Sequence, residues 1–268
     1  MMLLLSIILV PTAAGIASYL VRPQGLRRAI WFAAAATHLI LSIAAATSPE
    51  ALSLGDWIGL DAISAIFLVL TSVLFLGATV YGFGYLNREP VAPQSDAEDG
   101  SLIRNEPEPV FTGSILLLLA TMSLAIVSRH LALQWVAIEA TTLASAPLIY
   151  FHRTRRSLEA AWKYLILCSV GIAVALLGIF FILMAMQGEH RDLTLTALLK
   201  QADTLNHKWL STAFIFMLVG YGTKMGLAPL HTWLPDAHSE APSPVSALLS
   251  GALLNCAFLG ILRVQQIC

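Results

Sequence analysis

The chain has 268 residues, of which 57% are hydrophobic and only 12% charged, and its formal net charge is −1. Ordinary soluble domains carry roughly 25% charged residues, so this composition cannot clothe a water-facing surface, and the absence of a basic excess argues against a nucleic-acid partner. The three cysteines, Cys168, Cys256 and Cys268, sit in apolar surroundings with no CxxC or Cys/His ligand spacing, and read as buried small hydrophobes, not as a disulfide or metal framework.

The apolar residues come in long, nearly charge-free runs, the pattern of bilayer-spanning helices. The runs are too long and too uniformly apolar for barrel strands, and a spanning segment must satisfy its own backbone hydrogen bonds. The expected fold class is therefore an all-α polytopic membrane protein with about eight transmembrane helices. The first covers residues 2–20. It is a membrane helix and not a signal peptide, because no Lys or Arg precedes it while Arg22, Arg27 and Arg28 follow it. The next two cover 29–46, with His38 inside, and 60–86. The fourth and fifth, 109–128 and 131–150, are separated only by Arg129 and His130 and form a tight antiparallel pair. The sixth covers 159–186, the seventh 209–234 and the eighth 242–262. Gly220, Gly222, Gly226 and Pro229 interrupt the seventh.

Between the spans, residues 87–108 are rich in Pro and acid and read as a solvated loop, and 189–207 show helical spacing of apolar residues and predict a short interfacial helix. The loops after the first, third and fifth spans carry Arg22, Arg27, Arg28, Arg88, Arg104, Arg153, Arg155 and Arg156. The opposite side has fewer cations, Arg129, Arg191, Lys200, Lys208 and Arg263, which by the positive-inside rule places the N-terminus outside.

The chemistry lies in the few charges inside these runs. Glu139 is near the middle of the fifth span, where a charge costs about 2.5–3.5 kcal/mol on insertion scales. It is either a proton-relay carboxylate or an ion-pair partner that holds helices together, and the first reading is favoured. Lys224 lies in GYGTKMGLAP, well inside the interrupted seventh span. Broken helices at membrane depth line protein-buried or water-filled cavities and serve as ion sites, so a titrating lysine is favoured over one that snorkels to the interface. Lys163, near the start of the sixth span, either pairs with Glu159 at i, i+4 or neutralises Glu139 and tunes it. His231 and His238 flank TWLPDA, with Asp236 between them. Histidine can shuttle protons near neutral pH, but this pair lacks the further ligands of a zinc site, and an interfacial structural role for His238 stands beside the relay role. Asp61, at the opening of the third span, reads as a cap or interface residue, and His38 as a packed polar residue. No GxGxxG, Walker, HExxH or nucleophile-elbow motif is present, and no cofactor is expected in this chain.

The run KMGLAPLHTWLPDAHSEAPSPVSALLSG resembles the signature of the antiporter-like proton-conducting membrane subunits, a family that includes subunits of respiratory complex I, Mrp-type sodium/proton antiporters and membrane-bound group 4 hydrogenases. WVAIEATTLASAPLIYF and AAWKYLILCSVG resemble its fifth- and sixth-helix motifs, and LDAISAIFL fits the start of its third. The wording from Gly222 to Arg263 looks most like the hydrogenase-4 component F type. The resemblance implies that Glu139 and Lys224 drive a proton half-channel, with Lys163 as the sixth-helix basic partner. It implies a proton-translocating subunit of a hydrogenase-4 or NADH dehydrogenase (complex I)-like redox complex, not catalytic alone. The partners would be the other membrane subunits of that assembly, and the location a bacterial or archaeal cell membrane. The alternatives are an Mrp-type cation/proton antiporter subunit, moving protons and possibly sodium, or an inactive remnant. The family pattern divides the chain into an N-terminal three-helix segment with its acidic loop, residues 1–108, and a first five-helix repeat, 109–268. The second repeat is missing, which reads as a fragment. Asn255 and Ser250 stand where some relatives carry Lys or His, so the outlet of the path is not evident.

Overall fold

The computed structural model describes residues 2–47, 52–89, 94–95, 102–103, 105–186 and 191–268. Arg104 and most of the acidic loop before it lie outside the described residues. Helices α1 (Met2–Leu20), α2 (Gln24–Ala46), α3 (Ala62–Arg88), α4 (Glu108–Val127), α5 (Leu131–Ile149) and α6 (Arg155–Ala185) follow the first six apolar runs. The seventh run is split into α8 (His207–Met225) and α9 (Trp233–Glu240). The eighth is α10 (Ser243–Leu248) continued through a π turn at Leu249–Leu253 into α11 (Leu254–Ile267). Among the described residues, seven helical stretches are long and apolar enough to cross a membrane; α8 is not one of them, since Lys, Thr and Gly dilute its apolar content.

The boundaries differ from expectation where side chains cap or neutralise. Asp61 caps α3 by accepting from the Ser64 amide at 3.1 Å. Thr154 and Ser157 form a capping box that starts α6 at Arg155, four residues earlier than expected. Arg27 and Arg28, expected in a loop, lie inside α2. Glu108 makes this possible: it receives Arg28 Nε at 2.8 Å and lies 3.3 Å from Arg27 Nη2. The expected interfacial helix shrinks to α7 (Leu195–Lys200) and a 3₁₀ turn at Ala202–Thr204, because Asn206 already caps α8.

Helix α4 is the centre of the bundle. Phe111, Ile115, Leu118, Leu119 and Met122 are all fully buried, and α1, α3 and α5 pack against it. A helix apolar all round is what such a position requires. The outward faces are apolar too: Leu9, Ile66, Val73, Leu143, Ile166 and Val170 are exposed, which suits lipid rather than water as the solvent. His38 is buried among hydroxyls from three helices: Ser123 Oγ at 2.8 Å, Ser72 Oγ at 3.0 Å and Ser42. This fits its reading as a packed polar residue.

The two ends of the bundle are tied differently. At one end, α2 is joined to α4 through Glu108, and Arg153 Nε donates to Glu106 at 2.6 Å. At the other, a small antiparallel hairpin of β1 (Ser53–Leu54) and β2 (Ile58–Gly59) sits over the α4–α5 turn, with Ile58 bridging to Ser128 and His130 to Thr194. There Arg263 of α11 grips Asp61 through both Nη atoms, at 2.7 and 2.5 Å. A second short antiparallel pair, β3 (Gln94–Ser95) with β4 (Leu102–Ile103), lies in the loop after α3.

Candidate functional site

Lys224 is in the last turn of α8 and is fully buried. The helix ends there because Gly226 adopts a left-handed conformation, φ +81°, which a side chain would strain. Gly220 and Gly222, by contrast, stay helical. The orphaned carbonyls of the last turn are recovered locally. Leu227 N–H donates to Gly222 O at 2.8 Å, and the Trp233 indole N–H of α9 donates to Thr223 O at 2.9 Å. The lysine thus sits at the negative end of a helix dipole, the end that favours a cation. Gly220 brings α8 against α6: a Cβ there would lie 2.5 Å from Ala175 N and 2.6 Å from Gly171 O.

The ammonium makes no direct contact with a carboxylate among the described residues. Its Nζ donates to Thr142 Oγ1 of α5 at 2.7 Å and to Tyr164 Oη of α6 at 2.6 Å. Tyr164 shares a 2.6 Å hydrogen bond with Ser145 Oγ, and its ring packs on Trp233, centroids 5.1 Å apart. Thr142 in turn donates to Glu139 Oε2 at 3.3 Å, and Ser169 Oγ of α6 donates to Glu139 Oε1 at 2.7 Å. The Trp135 indole, one turn before Glu139, donates to Ile172 O at 2.7 Å and holds α5 against α6 at this level. Glu139 and Lys224 are therefore joined through Thr142 by one unbroken hydrogen-bonded chain between α5 and α8, with Ser169 and Tyr164 of α6 bonded to its two ends.

The other expected site residues lie outside this chain. Lys163 Nζ is 2.7 Å from Glu159 and 2.9 Å from Asp236 of α9, and its side chain is 47% exposed. Among the described residues, no hydrogen bond or ion pair joins it to Glu139. Lys163 is six residues before Ser169, the α6 residue that does reach Glu139. That spacing puts the two about 9 Å apart along the helix and roughly 120° apart around it. His238 Nδ1 lies 2.6 Å from Ser246 Oγ, and His231 is exposed in the turn between α8 and α9. Asn255 Nδ2 and Ser250 Oγ donate back to carbonyls of their own helix, at 2.7 and 3.1 Å. Among the described residues no group of three His, Cys, Asp or Glu could hold a metal.

Four residues of the site carried no separate signal: Thr142, Ser145, Tyr164 and Ser169. Thr142 could have been found, since it lies three residues after Glu139 and therefore on the same helix face. Tyr164 and Ser169 are brought in by tertiary packing of α6.

A family model described as NADH:quinone oxidoreductase/Mrp antiporter, TM, matches residues 128–268. A hydrogenase-4 component F homolog of Methylacidiphilum infernorum is 40% identical over 216 residues, 79% of this chain and 44% of that protein. NADH-quinone oxidoreductase subunit N of Deinococcus radiodurans is 36% identical over 140 residues, 51% of this chain and 28% of that protein. The chain spans less than half the length of either relative. Among solved structures, a chain of respiratory complex I from Thermus thermophilus superposes with a TM-score of 0.75 at 24% identity, over 97% of this chain and 52% of that one. A chain of the Mrp complex from Dietzia sp. gives 0.77 at 19%, over 98% and 48%. A chain of an archaeal membrane-bound sulfane sulfur reductase gives 0.81 at 18%, over 96% and 52%. These three likenesses speak to the fold. With more than half its length matched, this multi-pass membrane chain belongs to the family of NADH:quinone oxidoreductase and Mrp antiporter transmembrane subunits.

Proposed function

We propose that this chain moves protons as part of a membrane subunit of a hydrogenase-4 or complex I-like redox assembly, with electron transfer confined to partner subunits. The observation that carries this reading is the hydrogen-bonded chain from the partly buried Glu139 through the buried Thr142 to the buried Lys224. A carboxylate and an ammonium at membrane depth are costly, and here they are spaced so that a proton can be exchanged between them. The likeness to the hydrogenase-4 component F homolog supports a redox assembly. The likeness to a chain of the Mrp complex supports a second reading, cation/proton exchange without a redox partner.

The test uses the full-length protein in its assembly, reconstituted in liposomes with a pH-sensitive dye. Glu139→Gln and Lys224→Ala should each lower proton flux about a hundredfold, the scale of a lost acid–base group. Unchanged flux in both variants refutes the proton-path reading. Flux that depends on sodium and not on electron donors selects the antiporter reading.

The same proposal includes orientation. Arg22, Arg27, Arg28, Arg88, Arg153, Arg155 and Arg156 gather at one end of the bundle, which supports a cytoplasmic location for that end and an N-terminus outside.

A further inference from the structure

Hydroxyls inside apolar helices ordinarily give their proton to a carbonyl of the preceding turn. Here Ser18, Thr79, Thr112, Thr121, Ser123 and Thr223 all do so, at 2.7–3.0 Å. Thr142, fully buried, departs from that pattern: it gives its proton to Glu139 and receives one from Lys224. We infer that the Thr142 hydroxyl is the proton relay between Glu139 and Lys224, and that Tyr164 is a positioning residue which holds the ammonium without conducting. The inference rests on the proton-path reading above.

Counting protons separates the two branches. The Lys224 ammonium has no lone pair, so of the two partners of Tyr164 only Ser145 Oγ, 2.6 Å away, can take its hydroxyl proton, and Ser145 gives its own proton to the Thr141 carbonyl at 2.7 Å. Tyr164 must then donate to Ser145 and accept from Lys224. That branch ends on a backbone carbonyl, which cannot pass a proton on. The Thr142 branch ends on a carboxylate, which can accept one.

The step balances with no other reactant. The Lys224 N–H bond breaks as a new O–H forms on Thr142 Oγ1. The original Thr142 O–H breaks as an O–H forms on Glu139 Oε2. The products are a neutral amine, a threonine hydroxyl and a carboxylic acid. The hydrogen bonds reverse by themselves: the acid now donates to Thr142, and Thr142 donates to the amine lone pair. Both polarities fit the same three heavy atoms, so the relay runs in either direction without moving a side chain.

The experiment compares Thr142→Val, which keeps the shape and removes the hydroxyl, with Thr142→Ser, which keeps the hydroxyl, in the full-length protein within its assembly. Glu139→Gln and Lys224→Ala are run alongside. The relay predicts that Thr142→Val lowers flux at least about tenfold while Thr142→Ser stays within about threefold of the parent, as expected for loss or retention of a proton-transfer group. Equal loss in both Thr142 variants means packing and overturns the relay. Flux retained in Thr142→Val also overturns it. If Glu139→Gln and Lys224→Ala lose flux in that case, the proton path stands and only the relay falls; if they too keep flux, the path itself falls.

A second readout covers a valine variant that does not assemble. In purified Thr142→Ala protein, the infrared carbonyl band of protonated Glu139, assigned by its loss in Glu139→Gln, should move to higher frequency because the acid has lost its acceptor. An unmoved band overturns the relay.

Discussion

Lys224 and Glu139 are paired at one remove, through a neutral hydroxyl rather than by contact. Direct contact would favour the doubly charged state and oppose proton exchange, whereas the neutral hydroxyls of Thr142 and Tyr164 hold the ammonium and oppose its deprotonation less than a touching carboxylate would. At the residue scale, the two intramembrane charges were legible in the sequence because each violates the apolar pattern around it. Lys163 contacts Glu159 and Asp236 and not Glu139, because a lysine six residues before Ser169, the α6 residue that reaches Glu139, points elsewhere. Outside the spans, His130 gives a pH prediction. Its Nδ1 caps α5 by accepting from the Leu133 amide in a long 3.4 Å hydrogen bond, and its ring stacks on Trp57. Burial pushes the imidazole pKa below its ordinary value, while Asp192 opposes the shift. A group depressed in the folded state stabilises above its unfolded pKa, about 6.5, and that contribution disappears as pH falls through the folded value. Thermal unfolding in detergent should thus show an acid-induced loss of up to about 1 kcal/mol, the worth of a cap, and His130→Asn should abolish it. An equal acid response in the two proteins would refute the assignment.

Elements show the same division between pattern and packing. The apolar runs announced seven of the spanning stretches, and Gly226 announced the break in the remaining one, the seventh run, because a glycine after a helical run commonly takes the left-handed cap. The sequence did not disclose that Arg27 and Arg28 belong to α2, since their partner Glu108 is 80 residues away. Nor did it disclose that Asp61, read as a cap or interface residue, is also clamped by Arg263 across 202 residues. Arg263 is 3% exposed at the side chain and Asp61 27%. Removing one member of a buried pair costs about 3–5 kcal/mol, and the partial exposure of Asp61 reduces the expectation for Asp61→Ala to about 2 kcal/mol. The double variant Asp61→Ala/Arg263→Met should recover most of that loss, as a denaturant titration would show. If it is as unstable as the single variant, the clamp is not what holds α3 to α11.

At the scale of the molecule, orientation has a direct check. In a background with Cys268 replaced, Arg155→Cys should react with a membrane-impermeant maleimide only when the cytoplasmic side is accessible. Trp57→Cys, at an exposed position on the other end, should react from outside. The reverse labelling pattern would invert the topology.

The surface triad of Glu159, Lys163 and Asp236 ties α6 to the second half of the broken span in a place that water reaches. Ionic strength therefore acts unequally on this protein. At about 1 M salt the screening length falls to about 3 Å, which loosens the exposed triad, while mobile ions cannot enter the fully buried surroundings of Lys224. Salt is in this sense a dial that turns one contact between α6 and α9 and leaves the buried Lys224 end of the proton chain alone. A change that follows that dial points to the charged contacts at the surface, and one that ignores it points to the interior.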